Sequence, residues 1–167
     1  GSSHARAAVL QGDGKLVDAL EVIETSRPLF DAIVNGARFG ASGNELVGSS
    51  SLEPADRESI ADPRVVEGIR GNAALQYGDR LFLKVFRRME EGLSPDLELG
   101  RFLAARAPGL TPPVLGALEY RSTRAEPSTL AILQRYVPNE GTAWSHARRE
   151  LGRFFERLSC LHQLAGS

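Results

Sequence analysis

The sequence predicts an α+β fold: an antiparallel sheet with one packed helix, preceded by a small N-terminal cap. Three observations predict it. Between residues 64 and 87, short apolar runs are separated by Gly-containing turns, as hairpins require. Ser94-Pro95-Asp96 then opens a helix, with proline at its first position and an acid near the positive end of the dipole. Residues 114–121 and 130–137 return to strand patterning before Pro138-Asn139-Glu140-Gly141 breaks it.

The elements are expected in this order. Residues 16–37 read as helical. Leu16, Ala19, Leu20 and Ile23 share one face, and Leu29, Ile33 and Val34 continue in a second segment. Ser26 is placed to cap that segment, Pro28 to sit in its first turn, and Gly36 and Gly40 to stop it. Residues 40–63, rich in Gly, Ser, Pro and Asp, read as a linker, with a short strand at Glu45-Leu46-Val47. This bounds a cap over residues 5–63. Arg64–Ile69, Ala73–Tyr77 and Arg80–Arg87 form three antiparallel strands, the last two joined at Gly78-Asp79. The helix from Ser94 turns Leu97, Phe102 and Leu103 to the core and ends at Pro108-Gly109. Two strands follow, around a polar turn at Arg124–Ser128, which closes the sheet domain at residue 141. Thr142 caps a last helix, over residues 142–167. Its apolar stripe runs through Trp144, Ala147, Leu151, Phe154, Phe155, Leu158, Leu161 and Leu164.

Composition narrows the function classes. The 167 residues fit one domain, or one with an appendage, and 42% apolar content is enough for a core. A net charge of −1 gives no basic field to draw in nucleic acid. The single cysteine, Cys160, rules out an internal disulfide and any Cys-based metal cluster, and fits a reducing cytoplasm. No apolar stretch is long enough to span a membrane, and no leader pattern is visible. The opening Gly1-Ser2-Ser3-His4 reads as a cloning remnant.

Lys84 is the candidate for chemistry. Among 20 basic residues only Lys15 and Lys84 are lysines, and Lys84 lies inside the apolar run Leu81–Phe86. Strand alternation points Phe82, Lys84 and Phe86 to one face. An ammonium between two aromatic rings needs an anion beside it. A compact charge on a flexible stem suits phosphate oxygens. Glu98, one turn into the following helix, is the expected partner; Glu90 precedes the helix and Asp96 sits at its cap. The turn Glu67–Ala73 offers Gly71 and Asn72 as phosphate donors, although it carries no Gly-x-Gly-x-x-Gly.

This order of strand, hairpin, lysine strand, acid-bearing helix and two strands resembles the small lobe of the protein-kinase-like fold. The wording is more specific. Tyr77–Arg88, Ser94–Leu103, Pro112–Arg121 and Leu130–Trp144 resemble bacterial maltokinases, including those fused to trehalose synthase. The resemblance covers about residues 64–158, with Gly43–Gly48 resembling part of the family's cap. It implies transfer of the γ-phosphate of ATP to maltose, giving maltose 1-phosphate in the complete protein. It implies that Lys84 grips the α- and β-phosphates and Glu98 orients it. Gln134, Tyr136 and Val137 would belong to the hinge whose backbone meets adenine. The turn at Asn72 departs from the family, which is richer in Ser and Thr there.

After Trp144 comes one helix, with no His-Gly-Asp loop and no Asp-Phe metal motif. The chain therefore reads as the N-terminal part of such a kinase, inactive alone, with the catalytic base and the Mg²⁺ ligands expected in a further lobe. A second reading makes it a non-catalytic assembly module that contacts a trehalose synthase domain or another copy of itself. Two side features carry no chemistry. His146 and His162 are too far apart for an i, i+4 metal pair, and Arg148, Arg149, Arg153 and Arg157 read as a solvated helix face. The stripe on the last helix, uncovered here, is expected to fold back or pair with a second copy.

Overall fold

Alternation in the strands decides the architecture. In the computed structural model, which describes residues 3–4, 8–10, 16–18, 23–53, 57, 62–66, 71–92, 94–141 and 143–165, the sheet is antiparallel throughout. Two short pairings stand outside it. Strands β1 (Ser3–His4) and β2 (Ala8–Leu10) pair with β9 (Arg88–Met89) and β3 (Leu16–Asp18), respectively. The main sheet has seven strands: β4 (Arg38–Ala41), β5 (Asn44–Ser50), β6 (Pro63–Val65), β7 (Asn72–Tyr77), β8 (Leu81–Phe86), β10 (Val114–Ser122) and β11 (Ala125–Arg135). Their spatial order is β4-β5-β10-β11-β8-β7-β6. Helix α1 (Ile23–Val34) and helix α2 (Pro95–Arg106) belong to the same unit, Gly1–Val137; helix α3 (Ala143–Ala165) belongs to a second, Pro138–Ser167.

Helix α1 starts earlier than the capping pattern suggests. Ser26 lies inside it, fully buried, and Pro28 is an interior residue rather than a first-turn one. Burial of the α1 face against the sheet outweighs the local capping preference. Leu16–Asp18, expected as helix, pairs with Ala8–Leu10 as strand, so hairpin pairing wins over a weak helical period. The stop at Gly36 is as expected. Gly36 adopts φ 60°, and its N–H donates to Ile33 O at 3.1 Å while Ala37 N–H donates to Ala32 O at 2.9 Å. That paired return is the Schellman motif, which needs a residue free to take positive φ. Gly40 does not act as a stop; it lies within β4.

The first part of the stretch read as a linker, residues 40–50, lies instead in a hairpin of the main sheet. Strand β5 pairs with β4 on one side and along seven residues with β10 on the other. The main sheet therefore takes strands from both sides of the expected boundary at residue 63, and Leu46 and Val47 supply the alternation a strand needs amid small polar residues. Gly48 is required by α1. A Cβ there would stand 1.9 Å from Ala32 O, so only glycine lets the helix backbone approach the sheet.

Two faces result. On one, Phe30 and Ile33 of α1 pack on Leu75, Leu83, Val85, Leu118 and Leu133. On the other, Leu97 of α2 packs on Ala117 and Ile132, with Phe86 and Val114 partly covered. Strand β8 divides cleanly: Leu81, Leu83 and Val85 are buried in the α1 face, while Phe82, Lys84 and Phe86 are half-buried on the other. Phe102, expected in the core, is instead 52% exposed, with the Arg106 guanidinium 5.0 Å from its ring centroid. The buried side of α2 is narrow, Leu97 and Gly100, so Phe102 falls outside it.

Helix α3 has the length and period expected. Thr142 and the side chains of Leu161 and Leu164 lie outside the described residues. Trp144, Leu151, Phe154, Phe155 and Leu158 are all exposed. Among the described residues, no helix is long and apolar enough to cross a membrane.

Candidate functional site

Lys84 stands where alternation puts it, mid-strand on the α2 face, opposite Ala74 of β7 and Ile132 of β11. Its ammonium lies 5.0 Å from the centroid of the Phe86 ring, within cation–π range. The carboxylate that meets it is Asp96, through an ion pair and hydrogen bond to Asp96 Oδ2. The expected partner was Glu98, two residues on. Glu98 is exposed, and the pair on Lys84 is made by Asp96 alone among the described residues.

The reason lies in how α2 begins. The chain leaves β8 through β9, and Gly92 makes a bridge to Ser128. Ser94 N–H then donates to Thr129 Oγ1 at 3.2 Å. These contacts fix the first turn of α2 beside the middle of β8. Asp96, in that first turn, reaches down to Lys84, whereas Leu97 turns into the core and Glu98 turns out to solvent. Ser94 makes no side-chain cap bond, so Asp96 serves both the helix dipole and the lysine. The sequence offered a weak signal for this pairing. An acid at a Pro-started N-terminus, twelve residues after a strand lysine, marks the end of the helix that must lie nearest the strand it came from.

Around the pair lies a cavity of about 320 Å³. Lys84, Asp96, Arg88 and Asn72 are among its walls, with Gly71 and Thr129. Gly71 has φ 75°, and the carbonyl of Asn72 accepts a bond from Arg87 Nη1 at 3.1 Å. The structure thus brings Gly71, Asn72 and Lys84 to one cavity. Residues 67–70 of the same turn lie outside the described residues. Arg88 and Thr129 were not anticipated. Thr129 is buried in β11, which starts at Ala125 inside the stretch expected as a polar turn, and Arg88 follows the apolar run in a short strand of its own.

Gln134 shares the Lys84 face, opposite Phe82 of β8, but this cavity does not extend to it. Tyr136 N–H donates to Arg80 O at 2.8 Å, and Val137 is 52% exposed. The candidate hinge is therefore an extended segment leaving the sheet at the far end of β8. Its Gln134 lies about 7 Å along the strand from the residue opposite Lys84.

Electrostatically the Lys84–Asp96 pair is half open: the lysine side chain is 23% exposed and the aspartate 51%. At that exposure an ion pair contributes roughly 0.2–1 kcal/mol to stability. It serves position more than stability. Lys84 lines the cavity and its side chain keeps access to solvent, so the ammonium can take a further anion. The residues lining the cavity carry an ammonium, a guanidinium and a side-chain amide, groups that suit phosphate oxygens, together with the carboxylates of Glu90, Glu91 and Asp96; Arg88 Nε pairs with Glu90 Oε1 at 3.5 Å. Among the described residues there is no group of three or more His, Cys, Asp or Glu placed to hold a metal ion.

No protein-family model matches the sequence. Two solved structures share the fold. One is a glucosamine kinase in complex with glucosamine, ADP and inorganic phosphate, at a TM-score of 0.53 and 18% identity. The other is a glucosamine kinase in a crystal form designated A, at a TM-score of 0.52 and 19% identity. Each match covers 83% of this chain, which spans 30% of the length of either structure. At this identity the likeness concerns the fold alone, which is α+β with a seven-stranded antiparallel sheet.

Proposed function

We propose that this chain is the nucleotide-binding part of a sugar kinase of the maltokinase type, taking ATP and passing its γ-phosphate to maltose in the complete protein. The observation that carries the reading is Lys84, held by Asp96 on the wall of a cavity that Arg88, Asn72, Glu90 and Glu91 also line. The sugar-kinase fold supports it, and the resemblance of residues 64–158 to maltokinases supplies the acceptor. In this reading Lys84 holds the α- and β-phosphates and Arg88 adds a second cation. The Asn72 side chain and Gly71 line the phosphate side, and Gln134, Tyr136 and Val137 lie toward adenine. Asp96, rather than Glu98, orients the lysine. ATP supplies the transferable phosphoryl group; these residues bind and orient it. The base that accepts the sugar hydroxyl proton, and the Mg²⁺ ligands, belong to a further lobe.

Calorimetric titration of the chain with ADP tests the reading. Saturable binding that falls about tenfold or more in Lys84→Met is the expected result, since a charge-assisted phosphate contact is removed. Equal affinity in the two forms would take Lys84 out of the phosphate site.

A second reading, an assembly module contacting a trehalose synthase domain or a second copy, is favoured by the exposed Trp144, Leu151, Phe154, Phe155 and Leu158 of α3. The same titration separates the two, because an assembly module has no need to bind ADP.

A further inference from the structure

Helix α2 begins without a cap of its own. Ser94 makes no side-chain cap bond. The third helical position, from which a Glu or Gln would reach back to the Ser94 N–H, is Leu97, and Leu97 is fully buried. The Ser94 N–H is satisfied from the sheet instead. Its acceptor is Thr129 Oγ1 of β11, at 3.2 Å and 35 residues along the chain. Thr129 is itself buried.

Strict alternation along β11 would not deliver that hydroxyl. Ile132 stands opposite Lys84 and packs with Leu97, on the α2 face. Counting back by two from Ile132 puts Leu130 on that face and Thr129 on the other. The pairing with β10 breaks the count. Leu118 is paired with Ala131, but the next residue, Glu119, is paired with Thr129, so Leu130 is extra. This is a β-bulge. Leu130 and its neighbour Ala131 both pack on the α1 side, and Thr129 is thereby turned toward α2. Bulges beside functional sites serve to re-aim a side chain. The residue re-aimed here holds the first turn of α2, the turn that brings Asp96 to Lys84.

We propose that Thr129 is a positioning residue for the nucleotide site: its hydroxyl, turned to α2 by the bulge at Leu130, fixes the helix start so that Asp96 meets Lys84. The proposal rests on the nucleotide reading and adds the residue on which the placement of the lysine depends. Other contacts at this end of the helix are slight. Among the described residues, α2 buries only Leu97 and Gly100, and the Gly92–Ser128 bridge holds the chain that leads into it. The Lys84–Asp96 pair is too exposed to seat a helix by itself. Without the Thr129 acceptor, a partly buried N–H is left unmet, and the helix start shifts to satisfy it.

Substitution of Thr129 in the 167-residue chain tests it, by calorimetric titration with ADP and by NMR of the lysine ammonium groups without ligand. Lys15 and Lys84 are the only lysines, so Lys15→Arg assigns the Lys84 signal. Thr129→Val keeps the branched shape and removes the acceptor. It should weaken ADP binding about fivefold and move the Lys84 signal in the direction that Asp96→Asn moves it. Thr129→Ser restores a hydroxyl; it should return the signal to its place and ADP affinity to within about twofold of the unsubstituted chain. In the Asp96→Asn background, Thr129→Val should change ADP affinity by less than about twofold, because no pair is left to position. An unmoved Lys84 signal in Thr129→Val overturns the proposal. So does a Thr129→Ser chain as weak as Thr129→Val, or an equal loss in the Asp96→Asn background, since either marks a packing role alone. If Thr129→Val does not fold, Thr129→Cys, with a weak acceptor in the same place, carries the same expectations at about twofold. Absence of ADP saturation by the unsubstituted chain overturns the nucleotide reading, and the Lys84 signal then still decides the role of Thr129.

Discussion

A strand lysine needs an anion, but which anion depends on where the next helix begins. Spacing along α2 favoured Glu98; the first turn of the helix delivers Asp96. This gives a discriminating experiment. Asp96→Asn should lower ADP affinity about threefold to tenfold, because the ammonium loses its aim, whereas Glu98→Gln should leave it unchanged. Calorimetry on both variants checks the assignment, and the reverse pattern would restore Glu98. Tyr77 makes a second residue-scale prediction. Its folded-state pKa is raised, chiefly by burial. The stability linked to it is fully present below the unfolded tyrosine value of about 10 and is lost as pH rises from there toward the higher folded value. Tyr77→Phe should flatten the fall in melting temperature above about pH 10; an unchanged alkaline slope would show that other groups govern it.

Helix α1 meets the sheet across Gly48, and this contact sets the depth of the main core. A Cβ at Gly48 would lie 1.9 Å from Ala32 O, which is backbone and cannot move aside. Gly48→Ala should therefore destabilise the chain by about 3 kcal/mol, near the upper end for overpacking, measured by urea unfolding. A change below about 0.5 kcal/mol, the size of an ordinary surface substitution, would mean that α1 sits farther from the sheet. Gly36→Ala acts differently, through the positive φ of the Schellman turn, and should cost about 1 kcal/mol. Neither glycine stands out by composition in a chain with 17 of them. Gly36 is legible as a stop because it follows an apolar period, while Gly48 is legible only once α1 is seen against β5.

The seven-stranded sheet joins segments that sequence patterning separated. Strand β5 and the end of β4 come from the stretch read as a linker, yet β5 pairs along seven residues with β10. Residues 23–53 and 62–135 should accordingly unfold together, in one cooperative transition seen alike by circular dichroism and by amide exchange in β5 and β8. Earlier loss of protection in β5 would mean that the hairpin is an independent cap. Among the described residues, helix α3 carries five large exposed apolar side chains. At high concentration the chain should self-associate, and Phe154→Asp with Leu158→Asp should reduce that association in sedimentation. A chain that stays monomeric with both apolar residues in place would remove the helix as a contact surface.

The sequence by itself determined the strands β7, β8 and β10, the later part of β11, the helix that opens at Pro95, the Gly36 stop and the face on which Lys84 stands. These follow from period, proline placement and turn chemistry, all of which act within a few residues. Tertiary structure alone decided that Asp96 meets Lys84, that Arg88 and Thr129 join the cavity, and that β5 belongs to the main sheet. Each of those depends on atoms far apart in the chain. Which of several acids, glycines or aromatic rings meets a given partner is set by the packing of α1 and α2 on opposite faces of one sheet, and local pattern carries no information about that packing.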